Sequence, residues 1–267
     1  MPELARAAIL GIIQGVTEFL PVSSTAHLLI SERLLGFADP GGVFTIMIQL
    51  GSILAVMWLY RVKLWEIFLG LPSEPEARRF AFKIVLATVP ALVVGALLAN
   101  FVKTILYGSI LVVATAFIVG GIVILVVEWM RPKPDVFDVD SMSVGRSLGV
   151  GAWQTLALIP GVSRSGGTII GAMLMRVDRG AAAEFSFFLA IPTMWAAFAH
   201  ELFEARHELA SARGLDVAVG FVMAFISSAA VVRPFLNYVR RSGFGPFAWY
   251  RIALGVALVA AVIAGWM

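Results

Sequence analysis

Two short polar clusters hold the groups that could do chemistry: Gln14-Gly-Val-Thr-Glu18-Phe-Leu-Pro-Val-Ser-Ser-Thr-Ala-His27 and Pro160-Gly-Val-Ser-Arg-Ser-Gly-Gly-Thr168. Gln14 and Glu18 stand four apart and share a helix face. Their oxygens can jointly hold a divalent cation, or Glu18 alone can take a proton. Ser24 and His27 are three apart at the next helix start, a spacing that lets His27 assist a serine hydroxyl. Ser23 and Thr25 flank them. In the second cluster the planar fork of Arg164 suits the oxygens of a phosphate, and Gly166 and Gly167 let a ligand approach the backbone closely. Ser163 or Ser165 can cap the helix that runs on through Thr168, and Ser23 can cap the one through His27. Each helix start offers unpaired N–H groups and about half a positive charge, which is a cradle for an anion. The plainer alternatives are Ser24 as a cap, His27 satisfied by backbone, and Glu18 paired with Arg164. That pairing accounts for two charges and leaves the serines, threonines and glycines unexplained.

These polar groups sit in a chain that is 60% hydrophobic and 14% charged, with a mean hydropathy of +0.93, so its solvent is largely lipid. An ionised side chain at the bilayer centre costs about 2.5 to 3.5 kcal/mol even on the lenient insertion scale, so Glu18 and Arg164 need a partner or a task. The absence of cysteine excludes disulfides, thiolate metal sites and a cysteine nucleophile, and histidine is scarce at three. The net charge of +3 does not indicate nucleic acid, because the basic residues fall in short pieces between apolar runs. Ala7 to Val16 has the length of a signal-peptide core, but Glu3, Gln14 and Glu18 argue against one.

Six stretches are long enough to cross a hydrocarbon core of roughly 30 Å. They run Phe44 to Tyr60, Lys83 to Phe101, Ile110 to Met130, Phe185 to Phe203, Val217 to Val232 and Trp249 to Met267. Leu4 to Leu35 and Val144 to Met175 are apolar too, but each is broken near its centre by proline, glycine and hydroxyl residues. Such segments are expected to be re-entrant helical hairpins. The expected fold is thus an all-α integral membrane protein of six transmembrane helices plus two re-entrant hairpins. It forms a single membrane domain, 1–267. Gly11 to Gln14 leading to Pro21 resembles Gly151 to Gln154 leading to Pro160, and three spans follow each hairpin. The expectation is an inverted repeat, 1–130 with hairpin 4–35 and 144–267 with hairpin 144–175, the two hairpins meeting at mid-membrane.

Basic residues set the orientation. Arg6, Arg33, Lys103, Arg206 and Arg213 lie on one side. Arg61, Lys63, Arg78, Arg79, Lys83, Arg131, Lys133, Arg146, Arg176, Arg179, Arg233, Arg240 and Arg241 lie on the other, which is therefore cytoplasmic, and both termini face outward. Arg131 to Ser147 reads as a polar linker between halves. His200, His207 and the Glu201 to Glu208 cluster are expected to face water and are assigned no chemistry.

The two clusters, in this order, resemble the signature motifs of the bacterial undecaprenyl-diphosphate phosphatase family, the BacA-type enzymes linked to bacitracin resistance, and the length and span pattern extend the resemblance over nearly the whole chain. The resemblance implies a hydrolase of the inner membrane that converts undecaprenyl diphosphate to the monophosphate. This recycles the carrier lipid for peptidoglycan, from a site reached from the outer face, with Mg2+ or Ca2+ as cofactor. Membrane lipids and the polyprenyl diphosphate are the implied partners, and a homodimer is allowed. Gln14 stands where many relatives carry glutamate and Ala26 where glycine is usual, which bears on metal binding by Gln14 and Glu18.

The resemblance points to Glu18, Ser24, His27, Ser163, Arg164, Ser165 and Thr168. In the expected scheme Ser24 attacks the terminal phosphorus, Glu18 or His27 handles its proton, and a metal with Arg164 offsets charge on the equatorial oxygens. His27 as nucleophile and direct attack by water remain open. Ser23, Thr25, Ser163, Ser165, Gly166, Gly167 and Thr168 are the expected phosphate-binding set. A lipid-phosphate or anion transporter, or flippase, is the rival, since inverted repeats with broken helices also build transporters.

Overall fold

A computed structural model describes residues 1–39, 42–102, 109–130, 132–207 and 214–265. Lys103, Arg131, Glu208 and Arg213 of the charge pattern, and the last two residues of the sixth expected span, lie outside the described residues. Among the described residues there are eleven α-helices and no strand beyond an isolated bridge between Val136 and Val177.

The first hairpin is α1 (Glu3–Thr17) and α2 (Ser24–Leu35), and the second is α7 (Val144–Gln154) and α8 (Arg164–Leu174), with a 3-10 turn over Thr155–Leu158. None of the four reaches the length of a span, and each pair breaks at the proline and serine positions that interrupt the apolar pattern. The expected spans are α3 (Val43–Leu59), α5 (Pro75–Phe101), α6 (Ile110–Met130), α9 (Arg179–Glu204), α10 (Gly214–Ser242) and α11 (Gly245–Ile263). Five are long and apolar enough to cross a membrane alone. The sixth does so only if α3 is taken together with α4 (Arg61–Gly70), from which it is bent by 75°. Leu97, Trp129 and Ile263 are among the exposed large apolar side chains, a surface that lipid solvates and water does not. The chain is therefore an all-helical, multi-pass membrane protein.

Both hairpins share an unusual backbone. Ser23 (φ 68°) and Ser163 (φ 71°) adopt positive φ immediately before α2 and α8. The same interval later, Gly36 and Arg176 do so after those helices end. Non-glycine residues rarely accept such angles, and they persist where the surroundings fix them.

The chain divides into two compact units. The first comprises Met1–Phe19, Ser24–Ala81 and Ala190–Pro234. Its core joins Ala7, Leu10, Leu28, Phe37, Phe44, Ile48 and Ala224. Helix α1 lies so close to α10 that a Cβ on Gly11 would come within 2.3 Å of the Gly220 carbonyl oxygen. The Ser228 hydroxyl donates to Gly15 O at 3.1 Å on the same face. Asp39 caps α3, accepting from the amides of Phe44 (2.8 Å) and Thr45 (2.9 Å).

The second unit comprises Leu20–Ser23, Phe82–Leu189 and Phe235–Met267. Here a Cβ on Gly151 of α7 would meet the Ala87 carbonyl oxygen of α5 at 2.0 Å, and one on Gly255 of α11 would meet Ala114 O of α6 at 2.8 Å. Small residues let membrane helices approach this closely, and packing then replaces the missing hydrophobic drive. Glu128, at the end of α6, pairs with Arg179 and accepts from the Phe244 amide at 2.8 Å.

The segment expected to be a polar linker is docked. Val136, Val139 and Met142 are buried, and the ammonium of Lys83 donates to the carbonyls of Asp140 (2.7 Å) and Met142 (3.0 Å). Lys83 is thus an internal anchor rather than a surface charge. His200 and Glu204 form an exposed pair one turn apart.

Candidate functional site

In the first unit the end of α1 and the start of α2 bring three of the singled-out side chains together. Glu18 follows α1 with its amide still bonded to Gln14 O at 2.9 Å, so the two side chains keep their helical spacing. One carboxylate oxygen, Oε2 of Glu18, accepts from Gln14 Nε2 at 2.9 Å and from Ser24 Oγ at 2.6 Å. The second distance is at the short end of the range for an O–H···O hydrogen bond. All three side chains are buried. The positive φ of Ser23 turns the chain so that Ser24 faces back toward Glu18. His27 lies one turn further along α2, half-buried, and Thr25 is half-buried beside Ser24.

A carboxylate holding a serine proton is the arrangement of a base with its nucleophile. Gln14 Oε1 is buried and has no hydrogen-bond partner among the described residues. With Glu18 and Ser24 it makes a set of hard oxygen donors, which suits Mg2+ or Ca2+ and no soft metal. Among the described residues no group of three His, Cys, Asp or Glu side chains could hold a metal. A cation at Gln14 and Glu18 would therefore take its remaining ligands from water and substrate phosphate, the way Mg2+ is commonly bound.

In the second unit Ser163 is the cap of α8. Its Oγ accepts from the Gly166 amide at 3.1 Å, and its carbonyl accepts from the Gly167 amide at 3.0 Å. Two first-turn amides expected to cradle an anion are thus already bonded, which leaves the helix dipole and Arg164 as the attractive elements. The other hydroxyls are likewise directed inward. Ser165 Oγ donates to Leu20 O at 2.7 Å and pairs with Ser163 Oγ at 3.0 Å. Thr168 Oγ1 pairs with Ser186 Oγ at 2.7 Å and bonds the carbonyls of Arg164 and Ser165. Arg164 Nη1 donates to Ser186 O at 3.2 Å, so α9 orients the guanidinium.

The turns of the two hairpins touch within this unit. Leu20–Ser23 belongs to it, and the Ser165 bond to Leu20 O joins residues far apart in the chain. A second joint is Arg251 of α11, whose guanidinium bonds Pro21 O (3.0 Å) and Val162 O (3.1 Å). Sequence reasoning missed Arg251 and Ser186. A lone arginine inside the apolar run after Trp249 was the available signal for the first, by the rule that flagged Glu18. For Ser186 no local pattern existed.

Residues 7–257 match the family model described as bacitracin resistance protein BacA. The chain is 46% identical over 260 residues to undecaprenyl-diphosphatase of Paracoccus denitrificans, covering 97% of each chain. It is 46% identical to undecaprenyl-diphosphatase 1 of Agrobacterium fabrum and 47% identical to that of Mesorhizobium japonicum, with 98% of each chain covered in both cases. With nearly every residue matched and both polar clusters inside the matched range, this chain belongs to the bacitracin resistance protein BacA family.

Proposed function

We propose that the protein hydrolyses undecaprenyl diphosphate to undecaprenyl phosphate and inorganic phosphate, in the bacterial inner membrane, at the groups carried by its two hairpins. The observation that carries this is the 2.6 Å bond from Ser24 Oγ to the Glu18 carboxylate. A binding or transport site needs donors for the anion but no nucleophile held by its own base. The names of the relatives supply the lipid.

In this scheme Ser24 Oγ attacks the terminal phosphorus and gives its proton to Glu18. The bond from that phosphorus to the bridging oxygen breaks, and undecaprenyl phosphate leaves with the electron pair. The leaving undecaprenyl phosphate carries off the proton held by Glu18, which returns the carboxylate to its basic form. Glu18 then takes a proton from water as the water oxygen attacks the phosphoserine, the P–Oγ bond breaks, phosphate leaves, and Glu18 returns that proton to Ser24 Oγ. Arg164, oriented by Ser186, offsets charge on the equatorial oxygens, assisted by the N-terminal dipole of α8. Ser163, Ser165 and Thr168 shape the loop that presents Arg164, and Ser23 and Thr25 shape the turn around Ser24. His27, one turn beyond Ser24, is the second proton carrier. A divalent cation at Gln14 and Glu18, when bound, supplies charge neutralisation at the diphosphate.

Both termini are placed outside, the site opens to the outer face, and the halves form an inverted repeat. The matching positive-φ residues of the hairpins support the repeat, as does a reciprocal packing: α1 of the first half lies on α10 of the second, and α7 of the second lies on α5 of the first.

Purified protein in detergent, where no compartment exists, is expected to release phosphate from undecaprenyl diphosphate and to lose that activity with a chelator. Ser24→Ala and Glu18→Gln should each lower kcat by at least about a hundredfold, and the double variant should be little worse than either, because base and nucleophile act as a unit. Normal turnover by Ser24→Ala would discard the serine scheme. Substrate binding without any phosphate release would favour the transporter.

A further inference from the structure

Arg251 is fully buried in the second unit, on a helix whose neighbouring turns are apolar. A cation in such a place is costly unless something compensates it. Here four backbone carbonyls do so. Nη1 donates to Pro21 O (3.0 Å) and Val162 O (3.1 Å), and Nη2 donates to Gly161 O (2.9 Å) and Ala116 O (2.9 Å). The guanidinium carbon also lies 5.2 Å from the ring centroid of Phe117. The four carbonyls come from three places: the turn of the first hairpin, the turn of the second, and α6. Pro21, Gly161 and Val162 lie in irregular backbone, whose carbonyls have no helical partner and at membrane depth no water to turn to.

These turns are also where the chemistry begins. Pro21 stands between Glu18 and Ser24, and Gly161 and Val162 immediately precede Ser163 and Arg164. Only arginine fits the junction: its two terminal nitrogens present four N–H groups in one plane, whereas the ammonium of lysine offers three donors from a single point. The fold has made room for it at Gly120 of α6, where a Cβ would stand 2.2 Å from Nη2 and 2.8 Å from Cζ.

We propose that Arg251 is a positioning residue for phosphoryl transfer: its guanidinium staples the turn preceding Ser24 to the turn preceding Arg164. This rests on the roles assigned above to Ser24, Glu18 and Arg164. Arg251 takes no part in the chemical steps. It holds the two turns in one register, so that the groups they present meet the substrate in a fixed arrangement.

The test uses Arg251→Lys, Gly120→Ala and the double variant, in the full-length protein in detergent. It reads kcat, KM and amide hydrogen exchange, with the peptide covering α3 as internal control. Arg251→Lys is expected to lower kcat about a hundredfold, the loss that follows a misplacement of about 1 Å. KM should move by less than about threefold, since binding by other groups persists. Exchange should rise together in 18–27 and 158–167 and stay unchanged in α3. Gly120→Ala, which displaces the guanidinium without removing it, should reproduce both effects in the wild type and add little in the Arg251→Lys background.

Full kcat in Arg251→Lys, protected turns in that variant, or a Gly120→Ala penalty that multiplies with it would each overturn the proposal. If Arg251→Lys fails to fold, Gly120→Ala alone decides by the same two readouts. Ser24→Ala, measured beside them, separates the ideas. Retained turnover there removes the serine scheme, while exchange in the two turns still judges Arg251.

Discussion

Gln14 sets how strong the proposed cation site beside Glu18 would be. With glutamate at that position two carboxylates would face each other across one helical turn, and a cation would be needed to hold them together. With glutamine the amide nitrogen satisfies Glu18, at 2.9 Å, and the pair is stable without a metal. The proposed cation would meet a single charge and the Gln14 oxygen, which has no hydrogen-bond partner among the described residues, and would need diphosphate oxygens to complete its ligands. Ser163 illustrates a different residue-scale balance. At φ 71° it bears backbone strain of about 1 to 3 kcal/mol, and its side chain returns part of that by capping α8. Ser163→Ala keeps the strain and loses the cap, so it should destabilise by about 1 kcal/mol. Ser163→Gly loses the cap at a cost of only a few tenths and relieves the strain, so it should be the more stable of the two and no less stable than wild type. Thermal unfolding in detergent checks the order, and Ser163→Ala melting above Ser163→Gly would contradict it. The Gln14–Glu18 pair, one turn apart, was legible from spacing alone, whereas the spacing of Ser24 pointed to His27 and the partner of its hydroxyl is Glu18, reached across the break between α1 and α2. Arg251 and Ser186 were not legible, because their partners are brought to them by the fold across most of the chain.

Helix lengths were the most legible elements, since lipid thickness translates directly into run length and a break in the run can only be a break in the helix. What escaped was the exit from α3. Its 17 residues rise about 26 Å, short of a comfortable crossing. The chain then turns by 75° into α4, whose Trp65 and Phe68 stack with centroids 5.7 Å apart on an exposed apolar surface. Nothing in the composition distinguishes such a continuation from a longer straight helix. The docked segment before α7 escaped for the opposite reason, its charges masking the three apolar residues it buries. Glu32, in the last turn of α2, gives the fold a pH dependence. Burial pushes the Glu32 carboxyl up from 4.5 to about 7, with Asp39 adding to the rise and the Thr45 hydroxyl, 3.0 Å away, opposing it. The folded protein therefore binds more protons here than the unfolded chain does, and this contribution to stability, complete below pH 4.5, is lost as pH rises through about 7. The melting temperature should fall across that window, and Glu32→Gln, which can still accept from Thr45, should flatten the fall. An unchanged slope in the variant would assign the pH dependence elsewhere.

At the scale of the whole molecule, the proposed duplication would account for one hairpin carrying the carboxylate and the other the arginine. Gln14 and Gln154 occupy matching places at the ends of α1 and α7, but the position matching Glu18 holds Leu158, and Arg164 has its counterpart in Ser24. The proposed inverted repeat has the two hairpins entering from opposite leaflets, as three crossings between them would require, and the distribution of basic residues is the argument for which leaflet is which. The chain has no cysteine, so single substitutions report sidedness without background. Ser73, Ser141 and Ser242 are exposed on connections rich in arginine and lysine, whereas Ala38 and Glu204 are exposed on the opposite set. Ala38→Cys and Glu204→Cys should react with a membrane-impermeant thiol reagent in intact cells, and Ser73→Cys, Ser141→Cys and Ser242→Cys only after the membrane is opened. Labelling of Ala38 and Ser141 from the same side would place both hairpins in one leaflet and leave Glu18 and Arg164 without a common substrate.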